Sequence, residues 1–229
     1  MKVLAFDTSN QTLSVALVED SDLQADMTLT VQKNHSVSLM PTVDFLMQQV
    51  GWKPSDLEKI VVAQGPGSYT GLRVAVATAK TLAYSLGIDL VGVSSLQSLA
   101  LPVKTDTVLI PLIDARRQHA YVGFYQNGKA LDEDTYASIE VIIDKAKAFD
   151  QVVFVGEVAP FQQVILEALP QAICQPSLPS AYDIGKLALQ LPSVDVDAFL
   201  PNYLKKVEAE ENWLKTHEEG PRDAYIKRV

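Results

Sequence analysis

Apolar and polar positions alternate through "KVLAFD" (2–7) and again through "TLSVALVE" (12–19), and β-branched residues recur in "DMTLTVQ" (26–32). A period of two residues puts one face of a strand into a core, so three consecutive strands are expected here. The first two are joined by the turn "TSNQ" (8–11). Then the period lengthens. Leu39, Val43, Leu46 and Val50 share one stripe of a helix, with Met40 and Met47 beside it, and Pro41 must sit in the first turn of that helix or bend it. From Leu72 to Leu86 the spacing is helical again. Ala75, Ala79 and Ala83 repeat every four residues, Leu72, Val76, Leu82 and Leu86 widen the apolar surface, and only Arg73, Lys80 and Tyr84 form a polar edge. A helix apolar over most of its girth is buried on more than one side. One side meets its own sheet. The other meets either the helix around Val43, in an intramolecular core, or a second protein. On the second reading the contact is made by Leu39, Met40, Val43, Leu46, Met47, Arg73, Val76, Ala79, Lys80 and Ala83.

The whole pattern occurs twice. "VLIPLID" (108–114) is another apolar strand that ends in Asp, and Val122 follows Asp114 by the same eight residues that separate Val15 from Asp7. "LEKIVVAQG" reaches Gly65 and "FDQVVFVGE" reaches Gly156, each after a helical stretch (37–51 and 137–149), and each half then offers a further helix and strand, "DLVGVSS" and "AICQPS". Both halves therefore read β-β-β-α-β-α-β, with a boundary near 101–106 that divides the chain into lobes 1–103 and 104–229. A chain of 229 residues suits two lobes of about 100 residues each. In such a pair the hairpin after each first strand faces the cleft between lobes. Its amides and hydroxyls suit phosphate oxygens, and its Asp suits a cation or a metal-bound water. The candidates are Asp7, Thr8, Ser9 and Asp114. The arrangement resembles the actin, sugar kinase and Hsp70 superfamily, an α/β fold of two duplicated lobes of the RNase H-like type. A kinase-like hairpin carries glycine about two residues after the Asp, where Ser9 and Arg116 stand here. Without those glycines the backbone approaches phosphate less closely, which argues against efficient ATP hydrolysis.

Between the fourth strand and the alanine-striped helix lies "GPGSYTGLR" (65–73). It is not a Walker A loop, because no Lys follows Gly71, and it is not G-x-G-x-x-G. Gly65 and Gly67 permit positive φ, Pro66 fixes the turn between them, and Ser68 or Thr70 is placed to cap the next helix. The loop reads as a tight strand-to-helix turn closed by Gly71, whose helix N-terminus would also tolerate an anion.

Composition narrows the function. Formal net charge is −9, from 19 Lys and Arg against 28 Asp and Glu, with no dense basic run. Strong autonomous binding of nucleic acid is not expected from that balance, although Arg116 and Arg117 mark a local basic patch. The single cysteine, Cys174, points to a reducing compartment and is expected to be buried. The apolar runs are too short to span a bilayer, and Asp7 interrupts any signal-peptide core, so the chain is expected to be cytoplasmic and free of membrane. His35, His119 and His217 are scattered. His35 reads as a packing or capping residue at a helix start and His119 as solvent-facing, and neither completes a metal site.

The segments "MKVLAFDTSN…SVAL", "NHSVSLMPTVDFL", "VVAQGPGSYTGLRVAVATAKTLAYSLGIDLVGVSSLQSLA" and "LIDARRQHAYVGFY" together resemble the TsaB (YeaZ) family, and "YLKKVEAEENW" (203–213) resembles a late segment of it. The likeness is dense in the first lobe, good at the start of the second, and elsewhere mainly one of plan. The resemblance implies an accessory role in making threonylcarbamoyladenosine at position 37 of tRNAs that read codons beginning with A. It implies a heterodimer with the related enzyme TsaD, joined by the ATPase TsaE, with tRNA met only through the complex. In TsaD a similar loop and helix lead to a strand followed by two metal-binding histidines four residues apart. Ser95 and Leu99 stand at those positions here, and a leucine has no lone pair for a metal.

The expected role is thus non-catalytic, with no metal and no cofactor of its own, ATP or ADP belonging to the interface of the complex. The same apolar helices would form a homodimer when the partner is absent. The alternatives are an ATP-binding ATPase or kinase of the same fold and, further off, a metallopeptidase, which needs three protein ligands around a metal.

Overall fold

The computed structural model describes residues 1–30 and 35–205. The first half runs β1 (Lys2–Asp7), β2 (Thr12–Glu19), β3 (Asp22–Thr30), α1 (His35–Val50), β4 (Lys59–Gly65), α2 (Tyr69–Leu86), β5 (Asp89–Ser94) and α3 (Ser95–Ala100). The second runs β6 (Val108–Asp114), β7 (His119–Val122), β8 (Tyr125–Gln126), β9 (Lys129–Ala130), β10 (Thr135–Ser138), α4 (Ile139–Ala146), β11 (Val152–Gly156), α5 (Gln162–Ala168), β12 (Ile173–Pro176) and α6 (Ala181–Leu187).

The two halves build the same sheet. Strand order is β3-β2-β1-β4-β5 in the first and β10-β7-β6-β11-β12 in the second, where β8 and β9 add a small hairpin beside β6. In each sheet a meander of three antiparallel strands is followed by two parallel ones reached through helices. One detail of the repeat differs from the eight-residue spacing. Asp7 pairs with Ser14, but Asp114 pairs with Ala120, so the second hairpin is tighter and the counterpart of Val15 is Tyr121, not Val122.

Helices α1 and α2 cover one face of the first sheet. Leu39, Val43, Leu46 and Met47 of α1 and Ala75, Val76, Ala79 and Ala83 of α2 pack there against Leu4, Phe6, Leu13, Val15, Ile60 and Val62. The alanine stripe thus brings α2 close to strands rather than to another helix. Pro41 lies seven residues into α1, where it withholds the amide that would bond the carbonyl of Val37. Ser68 caps α2 by accepting from the Gly71 amide, and Gly87 ends it in the left-handed conformation at φ 65°. Helices α4 and α5 cover the corresponding face of the second sheet.

The opposite faces are covered by exchange. Helix α3, from the first half, lays Leu96, Leu99 and Ala100 on Leu109, Ile113, Val153 and Val155 of the second sheet. Helix α6, from the second half, lays Ala181, Ile184 and Ala188 on Val3, Ala5, Ala16 and Val18 of the first. The buried Lys59 at the start of β4 donates from Nζ to the carbonyl of Ala188 at 3.2 Å, holding the C-terminal end of α6 to that sheet. Beyond α6 the chain returns along the first lobe. Val194 bonds Leu90, Asn202 bonds Gln64, and Phe199 enters the core under α2. A boundary at 103/104 therefore separates the two sheets but not the segments that cover them.

Candidate functional site

Each Asp at the end of a first strand accepts the amide two residues on. Asp7 Oδ1 takes Ser9 N–H at 2.7 Å and Asp114 Oδ1 takes Arg116 N–H at 2.8 Å. There the two hairpins part. Asp7 is fully buried, its Oδ2 has no hydrogen-bond partner among the described residues, and burial pushes its carboxyl above the usual carboxylate range against the pull of the Ser9 amide. Thr8 Oγ1 donates to the carbonyl of Gly71 at 2.8 Å, and the Ser9 carbonyl accepts the Ser68 amide at 2.6 Å. The first hairpin is thereby tied to the glycine loop. A Cβ at Gly67 would collide with the carbonyl of Ser9, one at Gly71 with the carbonyl of Thr8, and one at Gly65 with the carbonyl of Asn202. In this chain the three glycines make room for protein backbone.

The second hairpin is exposed and strained. Arg116, Arg117 and Gln118 take φ of 67°, 54° and 58°, a left-handed conformation that costs a non-glycine residue about 1–2 kcal/mol. The tight turn closes through Ala115 N–H to His119 O at 2.9 Å and His119 N–H to Arg116 O at 3.1 Å. His119 is half-buried rather than solvent-facing, because its ring stacks on Tyr136 with centroids 5.1 Å apart and 17° between planes. Between the hairpins opens a cleft of about 560 Å³, lined on one side by Ser9 and by Ser68, Tyr69 and Thr70 at the start of α2, and on the other by Asp114, Arg116 and Glu157. Glu157 accepts the Asp114 amide at 2.8 Å. Burial, to which the Asp114 charge adds, raises its carboxyl above the ordinary range. Of the four expected residues, Ser9 and Asp114 line the cleft; Thr8 is occupied internally and Asp7 is buried beneath it.

The expected docking residues divide by exposure. Leu39, Val43, Leu46, Met47, Val76, Ala79 and Ala83 are buried in the first lobe's own core, which corrects their reading as a protein contact: the sheet consumes the apolar surface that seemed in excess. Lys80 is not outward-reaching either, because its Nζ donates to the carbonyls of Asp197 and Phe199, both at 2.9 Å, and fixes the returning chain on α2. Met40 and Arg73 remain on the outer surface. Other large side chains on these helices are exposed too: Val37 is 66% and Phe45 48% exposed on α1, neither singled out by periodicity, and Tyr84, on the polar edge of α2, is 74% exposed. A signal was available, since Val37, Met40 and Phe45 fall off the stripe Leu39-Val43-Leu46-Val50.

Sequence reasoning also missed a partly buried polar cluster between the lobes. Tyr125 of β8 donates to Asp134 Oδ1 at 2.7 Å, and Ser94, at the end of β5, donates to Asp134 Oδ2. Burial raises the Asp134 carboxyl and, with the Asp134 charge second, the Tyr125 hydroxyl. Ser94 Oγ also accepts from Leu96 and Gln97 and caps α3, the one part of this cluster visible in sequence as a serine before a helix.

Ser95 and Leu99 lie on α3 and are buried, Leu99 within the core over the second sheet. His35 Nε2 lies 2.7 Å from the carbonyl of Asn10, so His35 ties the start of α1 to the first hairpin. His217 lies outside the described residues. Cys174 is half-buried on β12 rather than enclosed, and burial raises its thiol above the ordinary range. Among the described residues, no group of three or more His, Cys, Asp or Glu is placed to hold a metal, and no helix is long and apolar enough to cross a membrane.

Two lobes with equivalent sheets, hairpins facing a shared cleft and a helix starting at its floor make up the fold of the actin, sugar kinase and Hsp70 type. A solved hexokinase of the ROK type from Thermus thermophilus shares the fold at a TM-score of 0.50 and 13% identity, over 82% of this chain and 98% of that one. The family described as TsaD, tRNA N6-adenosine threonylcarbamoyltransferase, matches residues 29–213. The tRNA threonylcarbamoyladenosine biosynthesis protein TsaB of Bacillus subtilis (strain 168) is 37% identical over 94% of this chain and 99% of its own length. The solved YeaZ of Pseudomonas aeruginosa superposes with a TM-score of 0.74 at 27% identity, covering 89% of this chain and 99% of that one. The chain belongs to the TsaB (YeaZ) family.

Proposed function

We propose that this protein acts in tRNA threonylcarbamoyladenosine biosynthesis as a non-catalytic partner of TsaD. It scaffolds an assembly with TsaD and TsaE that modifies adenosine 37 of tRNAs reading codons that begin with A. The pathway comes from the TsaB relative, and the scaffolding role is supported by the outer face of α1 and α2. That face exposes Val37, Met40, Phe45 and Tyr84 on two helices whose inner faces are already fully packed. Exposed large apolar side chains on the outside of packed helices are candidates for a protein contact. Ser95 and Leu99, at the positions of the enzyme's histidines, are buried in a helix that serves the core. The protein supplies no cofactor of its own in this reading. A second copy covers the same face when TsaD is absent.

The test is a pair of exposed substitutions, Phe45→Glu and Tyr84→Glu, in the full chain. Each should leave the thermal melt unchanged, weaken co-elution with TsaD by about tenfold or more, and lower threonylcarbamoyladenosine in tRNA from cells carrying the variant. Full retention of the complex by both variants would remove the outer face from the assembly.

A further inference from the structure

Helix α3 is held by both lobes. It continues directly from β5 of the first sheet, and its Ser98 hydroxyl lies beside Asp7 of the first hairpin, while its apolar face rests on the second sheet. The chain passes between the lobes at 101–107 and again at 177–180, and both passages run against the C-terminal end of α3. There Leu101 N–H bonds the carbonyl of Gln97 at 2.9 Å, Ser177 Oγ donates to the carbonyl of Leu99 at 2.8 Å, and Ser180 N–H bonds the carbonyl of Ser98 at 3.2 Å. The N-terminal end is held differently. Ser94 donates to Asp134 Oδ2, Tyr125 donates to Asp134 Oδ1 at 2.7 Å, and Gln97 Nε2 donates to the carbonyl of Gly128 at 2.8 Å. Gly123 makes room for this joint, since a Cβ there would collide with Asp134 Oδ1 and the Tyr125 ring. The segment that carries Asp134 is itself fastened to the second lobe. Leu131 N–H bonds the carbonyl of Phe124 at 2.7 Å, and Lys145 Nζ bonds Asp132 at 2.6 Å.

We infer that α3 is the pivot between the lobes and that the Asp134 carboxylate is a latch that fixes the angle between them. Two chain passages against one helix end define an axis about which the lobes turn with few changes in backbone torsion. Bonds that lie on this axis resist turning weakly. The contact of Leu96, Leu99 and Ala100 with the second sheet is apolar and non-directional, so it allows small sliding. The Asp134 bonds are directional and charge-assisted, and they act at the other end of the six-residue helix, about 9 Å from the axis. Each carboxylate oxygen takes a hydroxyl from a different half of the chain, Ser94 from the first and Tyr125 from the second. The angle has a consequence for assembly. The outer face of α1 and α2 belongs to the first lobe and the cleft wall at Asp114 to the second, so the latch decides how a partner seated on one lobe meets the other. This goes beyond the proposed function and does not depend on the partner's identity.

The test is a distance measurement by pulsed electron paramagnetic resonance on the full chain. In a Cys174→Ser background, nitroxides are attached through Lys53→Cys on the first lobe and Lys147→Cys on the second, both exposed positions. With the joint intact the pair should give one narrow distance peak. Asp134→Ala should shift that peak or add a second one. Gly123→Ala should do the same by pushing the carboxylate aside while Ser94 and Tyr125 stay in place. Tyr125→Phe keeps the ring in the core and removes one bond, so it should widen the peak, and it decides the matter where circular dichroism shows that the other two do not fold. The inference is overturned if the intact joint already gives several distances, or if the folded variants reproduce its single peak. Loss of TsaD by Phe45→Glu is read on a separate surface, so the latch and the proposed function stand or fall by different results.

Discussion

Gly71 lies against the carbonyl of Thr8, and Thr8 returns a hydroxyl hydrogen bond to the carbonyl of Gly71. Neither backbone can withdraw without breaking the tie between loop and hairpin. Gly71→Ala should therefore cost about 1–3 kcal/mol by overpacking, read as a lower midpoint in urea with an unchanged m-value. Sequence showed the glycines but not what they approach, because a hairpin more than fifty residues away supplies the other surface. Asp7 is the second residue whose setting was hidden. It reads as a cleft acid, yet it is enclosed. Its folded pKa is raised by burial, so the stability tied to this group is complete below the unfolded pKa and is lost as pH rises through the folded one. Asp7→Asn keeps the Oδ1 acceptor for Ser9, removes the enclosed charge and offers a donor to the Ser9 and Ser98 hydroxyls beside it. The variant should melt higher than the wild type at about pH 7.5, with the difference fading as pH falls toward the ordinary aspartate value of about 3.9. A variant that melts lower at neutral pH would mean that the charge is itself held by a favourable contact.

At the scale of elements, the paired strands after each half's start and the helices α1, α2 and α4 were legible because each has its own period, and the recurrence of strand, Asp, turn and strand showed that the second half repeats the first; the small β8–β9 hairpin was not legible. The faces of α1 and α2 were less legible. An almost wholly apolar helix does not reveal which side meets strands and which meets solvent, and only the sheet decides. Its strands contribute Leu4, Phe6, Leu13, Val15, Ile60 and Val62 on one face, which is enough to bury the alanine stripe completely. The two faces should therefore respond differently to charge. Val76→Glu places an unpaired carboxylate in the core and should destabilise the protein by about 3–5 kcal/mol, seen as a lost or strongly lowered melting transition. Phe45→Glu, on the outer face, should melt as the wild type does and lose only its partner. Equal stability losses for the two would mean that the outer face is as structural as the inner one.

For the whole molecule, the exchange of α3 and α6 was not legible at all. Both are short, with six and seven residues, and no periodicity tells a helix which of two similar sheets it will cover. The exchange makes the lobes depend on each other. The fragment 1–103 contains every strand of the first sheet but lacks α6, so the face made by Val3, Ala5, Ala16 and Val18 would stand bare, and Phe199 would be missing from the other side. That fragment should aggregate or give a poorly dispersed NMR spectrum, while the full chain unfolds in one transition by circular dichroism and fluorescence alike. A fragment that folds by itself would show that the exchanged helix contributes little.

The exchange also sets an order of events at the ribosome. Strand β5 is complete once Ser94 is made, but the chain that covers and finishes its lobe runs from Ala181 to Asn202. At roughly 5–20 residues per second, that gap lasts on the order of 5–20 seconds, during which the nascent sheet has one greasy side open to the cytosol. A sheet bare for that long presents the kind of surface that holding chaperones bind, so expression yield should depend on how fast the stretch from Ser95 to Asn202 is translated.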